Sequence, residues 1–257
     1  MTQSVRDLEN TFARAFVLLV RNPTIVVPGI VLGAIGFGLG FAILAIAGAS
    51  AIGGISGNEA ATTVPEELMS ILAAVVAVIL ALVTLICEMA YVTGMAGAAW
   101  KSGEAYLRDG YRAFEGRGTQ ILIAIVLLSA AGFVAALLAP ITLLLSAAAY
   151  AIFSIYTMAA VIIGNRTALE AIVESCRLAW KNILPTLAVV ALVVLVAVAG
   201  GWTGNTLGRL VPVVSGLLEA LVQQIVVAYA TLVIVGEYLK LSDPAPAAEA
   251  EPGGGAS

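Results

Sequence analysis

The sequence predicts an all-α integral membrane protein: six transmembrane helices, arranged as three repeats of an amphipathic interfacial helix followed by a helical hairpin. Three observations predict it. Hydrophobic residues fill 61% of the 257 positions and charged residues only 11%, against roughly 25% charged in an average soluble domain. A soluble globule of this size could not hide so much apolar surface, because most of its residues touch water. The apolar runs are unbroken and rich in alanine, leucine and valine, which reads as helix, since the alternative membrane fold, a closed barrel, alternates polar and apolar residues along each strand. A charged stretch also recurs ahead of long apolar runs: "RAFVLLVRN" from Arg14, "RAFEGRG" from Arg112 and "RLAWKN" from Arg177.

A spanning helix needs about 20 apolar residues. The spans are expected at about 24–49, 68–99, 120–139, 141–164, 183–201 and 212–239. Pro140 separates the third from the fourth in a tight hairpin, because proline lacks a donor and pushes the preceding residue out of helical geometry. Asn22-Pro23, and Asn182 with Pro185, are expected to start the first and fifth spans as N-cap and first-turn residues.

The placement of lysine and arginine sets the orientation. Arg6, Arg14, Arg21, Lys101, Arg108, Arg112, Arg117, Arg166, Arg177, Lys181 and Lys240 fall on one side of the six-span layout, eleven of the twelve basic residues. Arg209 alone falls on the other, with the acidic loop carrying Glu59, Glu66 and Glu67. Both termini are therefore expected in the cytoplasm and the protein in the cell's inner membrane. Residues 1–241 read as one membrane domain, and residues 242–257, "SDPAPAAEAEPGGGAS" from Ser242, as a disordered acidic tail that cannot form a core.

Register supports the repeat. Arg112 and Arg177 are 65 positions apart, and so are Tyr91 and Tyr156. "EMAYVTGMAGAAW" from Glu88 and "FSIYTMAAVIIGN" from Phe153 superpose without a gap, and "VVAYATLVIVGEY" from Val226 puts Tyr229 in the matching place. The repeats run at about 5–99, 101–164 and 165–241. Within "TALEAIVESCRLAWKN" from Thr167, Leu169, Ile172, Val173, Cys176 and Ala179/Trp180 recur at helical spacing, with Glu170, Glu174, Arg177 and Lys181 mainly opposite and Glu174–Arg177 a favourable pair. Such a helix suits the headgroup layer, with Arg14, Arg112, Arg177 and Lys181 as candidate lipid-headgroup contacts.

Ionisable groups at bilayer depth are costly and are functional candidates. Glu88 and Glu219 are the two, and with Tyr91, Tyr156, Gln223 and Tyr229 they form a candidate intramembrane polar cluster. Against this stands placement near an interface, where tyrosines serve as anchors. Gly29, Gly33, Gly36 and Gly40, and likewise Ala90, Gly94 and Ala98, give smooth faces for close helix packing. Cys87 and Cys176 read as small buried residues. With no histidine in the chain, Ser-His pairs and most zinc and haem sites are unavailable. No catalytic, metal or cofactor residue is assigned, and no basic cluster suggests nucleic acid.

The basic amphipathic helices, the "RNP" start from Arg21 and the segment "EAIVESCRLAWKN" from Glu170 resemble the membrane domain fused to glycerophosphoryl diester phosphodiesterases and its stand-alone multi-pass relatives, over roughly residues 5–241. The resemblance implies a prokaryotic multi-pass inner-membrane protein. Phosphodiesterase activity is not implied, because it resides in a separate soluble domain with histidine and carboxylate ligands. The expected role is to move or organise lipids or hydrophobic solutes. The alternative is a structural subunit that binds a second copy or a membrane-protein partner without transport.

Overall fold

The computed structural model describes residues 3–36, 38–39, 42, 66–142, 144–210 and 215–242. Every regular element among them is helical. In chain order these are α1 (Gln3–Arg21), α2 (Pro23–Gly36), α3 (Glu66–Ser102), α4 (Leu107–Phe114), α5 (Gly118–Leu138), α6 (Leu145–Ser154), α7 (Thr157–Ile162), α8 (Ala168–Lys181), α9 (Ile183–Leu210) and α10 (Ser215–Ser242). The loop carrying Glu59, the far part of the first expected span with Gly40, and the acidic tail lie outside the described residues. Glu66 and Glu67, expected in a loop, instead open α3, where acids oppose the positive end of the helix dipole.

Among the described residues, four helical stretches are long and apolar enough to cross a bilayer: Gly118–Leu138, Leu145–Ile162, Ile183–Thr206 and Leu218–Ser242. Counting the bent pair of α1 and α2 as one crossing brings the number to five. Only 11% of the α5 stretch and 17% of the α9 stretch is buried within the protein. Phe133, Ile141, Leu184 and Trp202 are all more than half exposed. Exposure of that extent is tolerable only where lipid tails cover it.

The core mixes alanines with larger apolar side chains. Ala90, Met95, Ala96 and Ala99 of α3, all of α7, and Leu232, Val233 and Val235 of α10 are buried together. It sits toward the ends of these helices that carry the basic connectors. There, α4 lies against α3, α8 against α7 and α1 against α10. The α3–α4 approach depends on Gly94, where an added Cβ would fall 2.4 Å from the Ala113 Cβ and 3.2 Å from backbone atoms of Asp109 and Gly110.

α1 meets α2 at 88°. The bend is held by Asn22, which stands at the N-cap position expected of it, with Pro23 in the first turn, but makes no side-chain capping bond. Its amide donates to Leu18 O at 3.0 Å and Gly103 O at 3.1 Å, while its Oδ1 accepts from Ala105 N–H at 2.8 Å. One buried side chain thus ties the α1–α2 corner to the α3–α4 loop, satisfying backbone groups that a corner leaves open. Asn182 likewise directly precedes its span: it ends α8, its carbonyl accepts from Thr186 N–H at 3.0 Å in the first turn of α9, and its amide donates back to Leu178 O.

Pro140 turns the chain between α5 and α6 as expected. Leu144 takes the left-handed conformation at φ 69°, and the Ser146 hydroxyl donates to Ala135 O across the hairpin at 2.8 Å. The following helix is not continuous. It breaks at Ile155–Tyr156 into α6 and α7, and Ser175 of α8 fills the break, donating to Phe153 O at 2.7 Å and accepting from Tyr156 N–H at 3.1 Å.

Candidate functional site

Three groupings of residues on this frame have functional content. The first is Glu88, in α3, 14 residues before Ser102 and therefore about 21 Å along the helix from that end. It is 5% exposed. Gln224 of α10 hydrogen-bonds its carboxyl, and among the described residues Glu88 Oε1 is a buried oxygen with no partner. Gly29 of α2 makes the room: a Cβ there would meet Gln224 Oε1 at 1.9 Å and Glu88 Oε1 at 2.8 Å. Helices α2, α3 and α10 thus close around one carboxyl.

The other members of the expected cluster are dispersed. Gln223 is exposed; its neighbour Gln224 faces Glu88 instead. Glu219 is exposed and packs along Gly204 of α9. The tyrosines do not share a lining. Tyr91 Oη donates to Leu107 O at the start of α4, and Tyr229 Oη donates to Phe12 O of α1 at 3.5 Å. Both therefore fasten a flanking helix. Tyr156 is fully buried, with its hydroxyl 3.3 Å from Thr186 Oγ1 of α9.

The second grouping is the set of flanking helices. In α8 the face turned to the bundle is Ala168, Ala171, Ser175, Leu178 and Ala179. Leu169, Val173 and Trp180 point outward. Of the stripe read from the sequence only Ala179 is buried, Ile172 and Cys176 are half-buried, and the docking face is offset from the expected one. Arg177 and Lys181 are exposed, as are Arg14 in α1 and Arg112 in α4. Glu174 does not pair with Arg177; it accepts from Arg166 Nε at 2.8 Å and from Tyr238 Oη at 3.2 Å. The Glu170 carboxyl accepts from Thr167 N–H at 3.0 Å in a reciprocal capping box, and these bonds hold it below its usual pKa. Cys87 and Cys176 are free thiols, half-buried rather than buried as expected.

No family model, characterised protein or solved structure matches this chain. The site must speak through its own geometry.

The third grouping is a cavity of about 360 Å³ bounded by α3, α5, α6, α7, α9 and α10. Its walls include Ile125, Leu128, Ile155, Val190, Val193 and Ile234. Four of its hydroxyls are engaged: Thr93 donates to Met89 O, Tyr150 to Leu128 O, Ser154 to Tyr150 O and Thr231 to Val227 O, and Ser129 adds a fifth to the wall. Such a surface offers dispersion contacts but few free donors, and its volume lies in the range of small-molecule sites, about 300–1,000 Å³. Periodicity in the sequence could not reveal it, because it forms where six helices fail to fill the space between them.

Sequence reading also missed Glu237. It is fully buried near the end of α10, accepting from Thr11 Oγ1 at 3.2 Å and from Lys240 Nζ at 3.5 Å. The three-residue spacing to Lys240 was the available signal.

Proposed function

We propose that this is a six-span protein of a prokaryotic inner membrane, with both termini cytoplasmic, that binds and moves or organises lipids or hydrophobic solutes. In this reading α2 and α3 form the first pair of crossings, α5 with α6–α7 the second, and α9 with α10 the third. α1, α4 and α8 lie in the cytoplasmic headgroup layer, with Arg14, Arg112, Arg177 and Lys181 toward anionic lipid. The 88° corner after α1 supports this arrangement, as does the shared habit of Tyr91 and Tyr229, each fastening a flanking helix. The 37 residues of α3 extend about 55 Å, well beyond the roughly 30 Å of hydrocarbon, so it can cross and still reach both interfaces. The resemblance to the membrane domain of glycerophosphoryl diester phosphodiesterases fits the same proposal, without the activity of their soluble domain.

The cavity carries the functional part. An aliphatic space at the centre of four apolar crossing helices suits an acyl chain or a similar apolar body, which gains close dispersion contacts there rather than escape from water. Reconstituted protein should be labelled by a photoactivatable fatty acid on α5, α6 or α9, and Ala151→Phe, placed on the cavity wall, should cut that labelling at least several-fold. Labelling that is absent, or equal in the two proteins, would defeat the cavity reading. Transbilayer flux of the same probe then separates movement from simple occupancy.

A further inference from the structure

Where α1 crosses the ends of α3 and α10 there is a second cleft, of about 470 Å³, bounded by Asn10, Arg14, Trp100, Gly236 and Lys240 among others. Its floor is fixed. The Trp100 indole donates to Leu232 O at 2.8 Å, and it sits where a Cβ on Gly236 would come within 2.2 Å of the ring. The Arg14 guanidinium lies over that ring, 4.8 Å from its centre, with Nη2 donating to Trp100 O at 3.4 Å. One nitrogen is thus engaged, and Arg14 borders the cleft. Lys240 borders it too and is steered by Glu237, whose Oε1 is 3.5 Å from Nζ while Oε2 takes the Thr11 hydroxyl.

Two positive charges, from Arg14 and Lys240, stand against the one negative charge of Glu237. Among the described residues that border or steer the cleft, one positive charge is left unbalanced. A guanidinium and an ammonium bordering one cleft match phosphate oxygens, which accept paired N–H donors from arginine and a point charge from lysine. A tryptophan at the end of long apolar helices belongs at headgroup depth, where phosphodiesters are the abundant anions.

We infer that this α1–α3–α10 cleft binds a phosphodiester headgroup carrying a single net negative charge. The inference rests on the proposed placement of α1 in the headgroup layer, but it does not require the apolar cavity to be occupied.

The test uses the full chain, delipidated in detergent, with retained lipid counted by native mass spectrometry. Phosphatidylglycerol should be retained and diacylglycerol with the same acyl chains should not. Arg14→Gln and Lys240→Gln should each weaken retention about tenfold, the scale of one lost charge-assisted hydrogen bond. Arg14→Lys should recover part of it, and Arg108→Gln, outside the cleft and not one of the proposed headgroup contacts, should leave it unchanged. Competition by inorganic phosphate would show that the phosphate alone is recognised; absence of competition would make the lipid the ligand. Diacylglycerol held as well as phosphatidylglycerol, or retention unchanged in both Arg14→Gln and Lys240→Gln, would overturn the inference. Fatty-acid labelling of the cavity in the same variants reports separately on the transport reading, so either proposal can fail alone.

Discussion

Single residues set how closely these helices approach, and glycines are the sharpest instance. Gly94 and Gly201 look alike in the sequence, each inside a long apolar helix, yet one is a socket and the other faces open space. A Cβ at Gly94 would strike Ala113 and the α4 backbone, whereas at Gly201 nothing lies within 4 Å. Gly94→Ala should destabilise the protein by about 1–3 kcal/mol, the usual scale of overpacking where neighbours cannot yield. Gly201→Ala should be neutral or stabilising by up to about 1 kcal/mol, since alanine is the better helix former. Thermal unfolding of both variants in one detergent checks the pair; equal effects would remove the α3–α4 socket from the account. The same scale explains what could be read of the buried carboxyl. Glu88 was legible because an acid in an apolar run is conspicuous. Its partner was not: Gln223 and Gln224 differ by one position, about 100° around a helix, and only the packing of α10 on α2 and α3 selects the second.

At the scale of elements, α8 shows how far a pattern reaches. Thr167 followed by Glu170 is a capping signature, and the helix begins there. The apolar positions announced an amphipathic helix but not which of them would dock. Alanines and Ser175 do, because a helix lying across the ends of others must approach closely, leaving Leu169, Val173 and Trp180 outward. The capping box also carries a pH signature. The Thr167 N–H and hydroxyl hold the Glu170 carboxyl below its ordinary value, so its contribution to stability is present above the usual carboxylate pKa of about 4.3 and is lost as pH falls through the lower folded value. The unfolding midpoint of the wild type should therefore exceed that of Glu170→Gln at neutral pH, with the gap closing as the pH drops below about 4. A gap that stays constant or widens on acidification would contradict the assignment.

For the whole molecule, the eleven-to-one division of basic residues leads to the expectation that reporters fused to either end will both be active in the cytoplasm. Ends on opposite sides would mean an odd number of crossings and would dismantle the proposed six-span layout. The contacts that close the molecule join its two ends: Thr11 to Glu237 and Phe12 to Tyr229. No local pattern could announce them, since the first pair is separated by 226 positions. By itself the sequence determined the solvent, the helical class and the hairpin at Pro140, because composition, run length and a missing N–H act locally and need no partner. Only the tertiary structure decided that Gln224 rather than Gln223 meets Glu88, that Tyr91 and Tyr229 fasten helices instead of lining a path, that α6 and α7 part around Ser175, and that a cavity and a charged cleft exist at all. Each of these depends on the rotation and depth of one helix against another, and those are settled by the shapes of the side chains at their contacts.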